Sequence, residues 1–211
     1  MAGLLSSFRW PEAAIMIPWD IWLVTWLAAA FWSGRTIKTP RLDRELAHRA
    51  VLLTGFVCLL VVRGQDSGDF WKGLRASQPL LQRYWALPAN VGWVMVGLVT
   101  LGSLVAWWSR VHLSRFWSWR VTSKEGHCVI DTGPYALVRH PIYTGILLAA
   151  FATAAEKGTP AAAIGALLCC YGYWLKARLE ENFLCEELDA GNYEAYRRKV
   201  PMFLPFGPNL S

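Results

Sequence analysis

The feature that most constrains the fold of this chain is a run of 25 residues, 84–108, that contains no charged side chain. A helix needs roughly 20 apolar residues to cross the hydrocarbon core of a bilayer, so this run is long enough to span one. Trp85 lies near one end of the run, and Trp107 and Trp108 lie at the other. Amphipathic indole rings favour the membrane–water interface, which supports the same interpretation. The run therefore predicts a transmembrane helix.

Four further apolar segments extend this prediction along the chain. They cover residues 13–32, 46–62, 142–155 and 160–177, and the second and third of them are short for a span. The composition, 55% hydrophobic and 17% charged, is too apolar for an ordinary soluble domain. We therefore predict an all-α integral membrane protein with about five transmembrane helices. Residues 1–108 hold the first three helices, and residues 109–211 hold a cytoplasmic loop, a C-terminal helical hairpin and a tail.

The distribution of positive charge predicts the orientation of these helices. With five spans, one set of loops holds fifteen of the 21 Lys and Arg residues, and the other set holds six. Loops rich in Lys and Arg stay in the cytoplasm. We therefore predict an N-terminus outside and a C-terminus in the cytoplasm, in the inner membrane if the protein is bacterial. Basic loops facing anionic membrane lipids account for the net charge of +6, so we predict no nucleic-acid partner.

The cysteines do not indicate a metal site or a disulfide framework. None of the five is in CxxC spacing, and three lie in apolar segments. Small buried hydrophobic residues are the simplest role for them. We therefore predict no bound metal.

A polar stretch, residues 133–145, precedes the fourth apolar segment. The Gly-Pro pair at its start predicts a turn, and His140 is biased toward an extended backbone because a proline follows it. Pro141 suits the first turn of a helix, where its missing N–H costs nothing. The start of that helix offers free N–H groups and a positive dipole end, and Arg139 adds a further donor. This stretch therefore predicts a place to hold an anionic or electron-rich small molecule.

The fourth and fifth apolar segments are predicted to form a tight antiparallel hairpin, because only residues 156–159 join them. Small residues recur four positions apart in both segments, which lets membrane helices approach closely. They are Gly145, Ala149 and Thr153 in the first segment, and Ala162, Ala166 and Cys170 in the second. The hairpin brings Tyr143 and Lys176 to the same cytoplasmic rim. The preceding segment, 125–133, is predicted to be extended, with backbone groups free to contact a flat heterocycle.

Charged residues appear at the end of the fifth apolar segment, and two interpretations of them stay open. One is a helix emerging from lipid, supported by an i,i+4 ion pair between Lys176 and Glu180. The other is a functional site, because ionisable residues at membrane depth are usually functional. The residues in question are Lys176, Arg178, Glu180 and Glu181.

Taken in order, the motifs of the second half of the chain resemble a known family. They are HxVI at 127–130, GPY at 133–135, RHPxY at 139–143, EExxL at 180–184, YxxY at 193–196 and VPxFLPF at 200–206. This combination resembles the isoprenylcysteine carboxyl methyltransferase family with its bacterial relatives, within a broader group that includes phospholipid methyltransferases. RHPxY followed one hairpin later by EExxL is the specific part of the resemblance.

The resemblance implies S-adenosyl-L-methionine as the methyl donor and a lipophilic acceptor that enters from the bilayer. Carried over residue by residue, the cofactor site in the cytoplasmic loops and hairpin is lined by His127, Val129, Ile130, Tyr135, His140, Pro141, Tyr143 and Glu180. The family also has an arginine before the acidic pair that faces the acceptor. Lys176 holds that register here, and Arg178 is the nearest arginine, so either could bind the acceptor. We take Arg178 and Glu181 as the catalytic candidates.

The chemistry implied by this resemblance fits these residue types. A carboxylate acceptor is already ionised at neutral pH, so methyl transfer to it needs no general base. The site must orient two reactants and exclude water. Glu180 or Glu181 would complement the positive charge of the cofactor. Arg139 and the N–H groups before Tyr143 would take its carboxylate, and Arg178 would hold an anionic acceptor through a bidentate pair.

Other functions stay open at this stage. Methylation of an amine or a thiol on a phospholipid or another small lipophilic molecule requires a base, for which Glu181 or His140 is the candidate. A sterol-type reductase carries a motif similar to RHPxY but uses a nicotinamide cofactor, and the sequence shows no additional phosphate-binding cluster. A membrane scaffold without catalysis is the least favoured function, because the HPxY and EE motifs are intact.

Overall fold

The structure is a computed structural model that describes residues 10–30, 36–38, 42–60, 73, 77–114, 123–124, 130–187 and 190–207. Its helices are α1 (Trp10–Ala14), α2 (Met16–Ala30), α3 (Leu42–Leu60), α4 (Ala89–Leu113), α5 (Pro141–Lys157), α6 (Pro160–Glu187) and α7 (Ala190–Lys199). Two short strands, β1 (Thr36–Lys38) and β2 (Ser123–Lys124), pair antiparallel. Short 3₁₀ turns cover Pro79–Leu81 and Gly133–Ala136. Helices therefore dominate the part of the chain that the structure describes.

Each of the five apolar segments predicted from the sequence falls on a helix, in the order α2, α3, α4, α5 and α6. Among the described residues, two helical stretches are long and apolar enough to cross a membrane, Pro11–Ala29 and Ala89–Leu113. The predominantly helical fold is therefore confirmed. The number of five membrane crossings stays a prediction.

Helix α6 continues beyond residue 177, where the apolar segment ends, and runs to Glu187. The residues that follow are mostly Arg, Leu and Glu, which favour the helix, so nothing local stops it. Lys176 Nζ lies 3.8 Å from Glu180 Oε1, which is the i,i+4 pair that the sequence suggested. Glu180 and Glu181 are thus presented by a rigid helix.

Small residues allow the closest helix contact, which lies between α4 and α5. Gly102 and Gly145 face each other so closely that a Cβ on either one would overlap the carbonyl oxygen of the other. Ala149 lies against Gly102 as well, and Thr153 accepts a 2.9 Å hydrogen bond from Trp19 Nε1 of α2. The small-residue face of α5 therefore packs against α4 and α2.

Helices α5 and α6 form the predicted hairpin, joined by Gly158 and Thr159. Gly158 has a φ of 64°, a left-handed conformation that glycine adopts at little cost, and its N–H bonds to Ala154 O. Thr159 Oγ1 accepts a 3.2 Å hydrogen bond from the Ala162 N–H, which caps α6. The turn is as short as predicted, so the start of α5 and the end of α6 meet at one rim.

Candidate active site

The backbone in front of α5 is held by the C-terminal segment of the chain. The Arg139 N–H donates to Pro201 O at 2.8 Å, and the His140 N–H donates to Met202 O at 3.1 Å. His140 has a φ of −125° and a ψ of 62°, outside the helical region, because Pro141 follows it and starts the helix. These bonds direct the side chains of Arg139 and His140 toward α6.

Glu181 of α6 meets both of these side chains. Its Oε1 atom accepts a 2.8 Å hydrogen bond from Arg139 Nε and lies 3.0 Å from His140 Nε2. The side chains of Arg139 and Glu181 are only 0% and 1% exposed. Burial by itself raises the pKa of Glu181. The hydrogen bond from His140 and the charges of His140 and Arg139 lower it by more than burial raises it, so the pKa lies below its ordinary value. Glu181 is therefore an ionised carboxylate at neutral pH.

The Arg139 guanidinium also connects this pair to the C-terminal helix α7. Its Nη1 atom donates to Arg197 O at 2.5 Å and to Val200 O at 2.9 Å. Arg197 Nε lies 3.5 Å from Glu181 Oε2, on the other side of the carboxylate. Arg139 was predicted to take the cofactor's carboxylate, and the structure places it behind Glu181, where it fixes α5, α6 and α7 together.

Glu180 is the more open carboxylate of the acidic pair. The Tyr143 hydroxyl lies 2.7 Å from both of its oxygens. His140 Nδ1 lies 3.6 Å from Oε2, and Lys176 Nζ lies 3.8 Å from Oε1. The Glu180 side chain is 20% exposed, compared with 1% for Glu181. A partly exposed carboxylate with several donors around it can exchange one of them for a cationic ligand.

Aromatic rings form a wall beside this carboxylate. The rings of Tyr143 and His140 stack with their centroids 5.3 Å apart and their planes at 3°. Tyr173 lies against the Tyr143 ring at 4.7 Å, and Phe203 lies 5.9 Å from the His140 ring. Lys176 Nζ lies 5.2 Å from the centroid of the Tyr143 ring. Such faces stack on flat heterocycles and attract cations.

Two members of this wall, Tyr173 and Phe203, were not predicted from the sequence as site residues. A signal for Tyr173 was present, because Tyr173, Lys176 and Glu180 are spaced three and four apart and therefore share one face of a helix. Phe203 lies in the VPxFLPF motif, and its carbonyl accepts a 2.7 Å hydrogen bond from Thr144 Oγ1. The C-terminal motif thus closes one side of the site.

The two candidates for the acceptor-binding cation lie in different places. Lys176 contacts Glu180 and the Tyr143 ring, as described above. The guanidinium carbon of Arg178 lies 5.7 Å from the centroid of the Trp174 ring, which is 37% exposed. The structure therefore brings Lys176 into the cluster and places Arg178 on an outer face of α6.

Tyr135 lies in the 3₁₀ turn before Arg139 and is buried. Its hydroxyl lies 3.4 Å from Ser109 O, and its carbonyl accepts a 2.7 Å hydrogen bond from the Tyr196 hydroxyl. Burial raises the pKa of both tyrosines well above the ordinary value, so both stay protonated at neutral pH. The turn is thus fixed between α4 and α7.

The remaining predicted cofactor residues precede this turn. Ile130 is half-buried, while His127 and Val129 lie outside the described residues. No group of three or more His, Cys, Asp or Glu side chains that could hold a metal ion occurs within the described ranges.

The fold and the site together define a class of protein. The described part of the chain is mostly helical, it contains two stretches long and apolar enough to cross a membrane, and a cluster of charged and aromatic side chains lies at one rim of a helical hairpin. This combination is that of a membrane-associated helical enzyme. The model of the Isoprenylcysteine carboxyl methyltransferase (ICMT) family matches residues 95–186, which run from α4 to the end of α6. The match covers less than half of the chain, and it confirms the resemblance seen in the motifs.

Several curated proteins are similar to the chain. It is 31% identical over 168 residues to Methanethiol S-methyltransferase 2 of Bradyrhizobium diazoefficiens, which covers 74% of this chain and 58% of that protein. It is 30% identical over 130 residues to "Probable protein-S-isoprenylcysteine O-methyltransferase" of Oryza sativa subsp. indica, covering 61% and 66% respectively. It is 28% identical over 169 residues to Protein-S-isoprenylcysteine O-methyltransferase of Schizosaccharomyces pombe, covering 79% and 70%.

The names of these relatives agree on the class of enzyme and differ on the substrate. All three are named methyltransferases, as the motifs predicted. One name specifies methanethiol, and the other two specify isoprenylcysteine. The chain spans less than two thirds of the length of the first two relatives.

Proposed function

We propose that this chain is an integral-membrane methyltransferase that uses S-adenosyl-L-methionine to methylate the carboxylate of a lipophilic acceptor. The observation that carries the proposal is the Glu180 carboxylate, held 2.7 Å from the Tyr143 hydroxyl beside the buried Arg139–Glu181 pair. This carboxylate is partly exposed and lies next to aromatic faces. A fixed negative charge in such a setting suits a sulfonium cation.

The residues present fit this cofactor. Glu180 would complement the sulfonium charge, and the rings of Tyr143 and His140 would stack on the adenine. The N–H groups at the start of α5 would meet the carboxylate. Glu181 Oε2 is buried and has no hydrogen-bond partner among the described residues, although Arg197 Nε lies 3.5 Å away. A buried carboxylate oxygen without a hydrogen bond is consistent with a site in which a ligand or a water molecule donates that bond.

When bound, the cofactor supplies an electrophilic methyl group. The side chains of the site orient the acceptor against it and exclude water, which accounts for much of the rate enhancement in such a transfer. A carboxylate acceptor is ionised at neutral pH, so no side chain has to remove a proton. Glu181, kept ionised by Arg139 and His140, then acts through its charge and by holding the His140 ring.

A small thiol is a second candidate acceptor, favoured by the similarity to Methanethiol S-methyltransferase 2. A cysteine thiol has an ordinary pKa of about 8.5, and any thiol that is protonated at neutral pH must lose its proton before it attacks. His140 is an imidazole suited to this role, with Nε2 3.0 Å from the Glu181 carboxylate. We place the carboxylate first because the matching family model and the names of two of the three relatives refer to isoprenylcysteine.

Ligand binding by the purified protein in detergent tests the proposal. Titration calorimetry should show binding of S-adenosyl-L-methionine and no binding of NADPH. Glu180→Gln should weaken that binding, while Glu186→Gln, the same change at an exposed position of α6, should not. A methyl-labelled donor offered with a farnesylated cysteine, a small thiol or phosphatidylethanolamine then identifies the acceptor. Binding of NADPH in place of S-adenosyl-L-methionine would favour the reductase and overturn the proposal.

We further propose five membrane spans, with the N-terminus outside and the C-terminus in the cytoplasm, in the inner membrane if the protein is bacterial. The pairing of β1 with β2 supports this topology. Strand β1 lies between α2 and α3 and strand β2 lies between α4 and α5, and five spans place both connections on the cytoplasmic side. A reporter fused after Ser211 should be active only in the cytoplasm, and activity outside would contradict the topology.

A further inference from the structure

Helix α3 carries none of the motifs, yet it buries two ionisable side chains. Glu45 is 0% exposed and His48 is 4% exposed. With Gly55 and Leu59, which are also buried, and the partly buried Leu52, they follow a three-and-four spacing that defines one face of the helix. Residues on the opposite face, including Leu46, Leu53 and Val57, are exposed. Glu45 and His48 therefore belong to the packed face of α3.

This packed face lies against α6. A Cβ on Gly55 would lie 2.9 Å from Cys169 Sγ, one on Gly165 would lie 2.6 Å from Leu59 N, and one on Gly172 would lie 2.8 Å from Leu52 Cγ. The residue numbers in each facing pair have the same sum, as they must in a regular antiparallel pairing. Continued by one turn toward the start of α3, the same register sets His48 opposite Lys176.

One further step of this register sets Glu45 opposite Leu179, one residue before Glu180. Two buried ionisable groups of α3 thus lie at the level of the site end of α6. Lys176 is the residue of α6 that connects the two, because it faces α3 in this register and lies 3.8 Å from Glu180 Oε1. Its ammonium also lies 5.2 Å from the Tyr143 ring.

Helix packing alone does not call for these residues. A buried charge is costly, and apolar side chains of similar size at such positions often give equal or greater stability. The other facing pairs in this register consist of glycine, cysteine and leucine. Glu45 does have an ion pair with Arg49 on its own helix, but Arg49 is 38% exposed and that pair could form equally well on the surface.

We propose that Glu45 and His48 are positioning residues of the acceptor side of the site, which hold the Lys176 ammonium over the Tyr143 ring. Lys176, and not Arg178, is then the cation that meets the acceptor's carboxylate. The inference rests on the proposed function and assigns α3 a part in substrate binding that no motif indicates. It also explains why a lysine suffices at position 176, since the carboxylates of Glu45 on α3 and Glu180 on α6 restrain its flexible chain.

A double-mutant cycle with Lys176 tests the inference. Glu45→Gln should raise the KM for the lipophilic acceptor by about tenfold, with kcat and the Kd of S-adenosyl-L-methionine nearly unchanged. In a Lys176→Met background the same change should have little further effect, because residues that act through each other are not additive. Glu186→Gln, an exposed change of the same chemistry on α6, is the matched control and should leave the KM unchanged.

Labelling of lysine amines gives a second readout that needs no turnover. A lysine side chain that loses one of the groups restraining it moves more freely and meets a reagent more often. An acylating reagent, followed by mass spectrometry, should therefore modify Lys176 faster in Glu45→Gln than in the parent protein, while the exposed Lys199 reacts at the same rate in both.

The outcomes separate this inference from the proposed function. If the parent protein binds no S-adenosyl-L-methionine, the proposed function fails, and the labelling experiment still decides whether Glu45 acts on Lys176. Additive effects on KM together with unchanged labelling overturn the inference. If Glu45→Gln does not fold, the cycle is run with His48→Gln, and a loss of thermal stability without a change in KM or in labelling overturns it.

Discussion

The two ends of the α5–α6 hairpin both bury a glutamate, yet they are built differently. At the turn end, residues 154–160, polar side chains bind backbone carbonyls. Arg83 Nη2 donates to Glu156 O and Trp85 Nε1 donates to Ala155 O, both at 2.9 Å. Lys157 Nζ donates to Leu59 O at 2.6 Å.

At the site end, residues 139–143 and 173–181, the two glutamate side chains are bound by other side chains. His140 and Arg139 meet Glu181, while Tyr143 meets Glu180. A carbonyl at a helix end stays in place whether or not a ligand is present, so bonds to it stabilise the fold. A partly exposed carboxylate can change partners. The comparison teaches that the turn end serves stability, and that the site end is able to respond to a ligand.

The largest effect is expected from Arg139→Leu at the site end. Removing one partner of a buried ion pair costs about 3–5 kcal/mol, because the other charge is left uncompensated. Here the remaining charge is Glu181, which is 1% exposed. Thermal unfolding in detergent measures the loss. The double variant Arg139→Leu with Glu181→Leu should recover part of it, and a double variant as unstable as the single one would contradict this account.

The next largest effect is on ligand binding, which should weaken in variants of the site end and not in a variant of the turn end. His140→Ala and Glu180→Gln should each weaken S-adenosyl-L-methionine binding by about 1.5–3 kcal/mol, the range for a hydrogen bond to a charged group. Calorimetry on the folded variants gives the affinity. Lys157→Met at the turn end is the matched control and should bind as the parent protein does. Equal affinities in all variants would show that the site end is structural as well.

A smaller effect distinguishes the two cations of α6. Lys176→Met should lower methyl transfer at limiting acceptor by about tenfold, which corresponds to about 1.4 kcal/mol. Arg178→Lys should change it little, because either side chain can keep its charge near the exposed Trp174. Turnover with a labelled donor measures both. A large loss in Arg178→Lys with normal cofactor affinity would instead assign the acceptor to Arg178 through a bidentate pair.

At the turn end, Lys157→Met should reduce stability modestly. It removes the 2.6 Å hydrogen bond to Leu59 O, which links α5 to the end of α3. A hydrogen bond of a charged group contributes about 1.5–3 kcal/mol, and the partial exposure of Lys157 reduces this to about 1 kcal/mol. Chemical unfolding in detergent should show this loss. A loss as large as that of Arg139→Leu would contradict the expectation that the buried ion pair at the site end contributes more to stability than the bond at the turn end.

The smallest effect is the dependence of stability on the ionisation of Glu181, because it does not appear at ordinary assay pH. Its pKa in the folded protein lies below the ordinary value of 4.5, despite burial, because of the His140 hydrogen bond and the charges of His140 and Arg139. Its contribution to stability is therefore complete above pH 4.5 and is lost as the pH falls through the lower folded pKa. Unfolding temperatures measured from neutral to acidic pH should show this decline, and Glu181→Gln should show less of it. A parallel decline in both proteins would assign the acid sensitivity to other groups.

Much of the helical framework was predictable because its signals are local. Apolar runs marked each of the five long helices, and the four residues 156–159 between two of these runs marked the turn of the hairpin. Because the hairpin is short, the meeting of Tyr143 with Glu180 followed from it. The exact end of α6 was not predictable from hydropathy, since a helix continues through charged residues that favour it.

The sequence by itself determined that a charged, aromatic cluster forms where RHPxY meets EExxL, because a tight hairpin leaves those residues no other place. The tertiary structure alone decided which surfaces surround that cluster. Gly145 faces α4, the carbonyls of Arg197 and Val200 hold Arg139, and the packed face of α3 buries Glu45 and His48. The physical reason is that helix packing depends on the fit between surfaces distant in sequence, whereas helix formation and turns depend on neighbours in the chain.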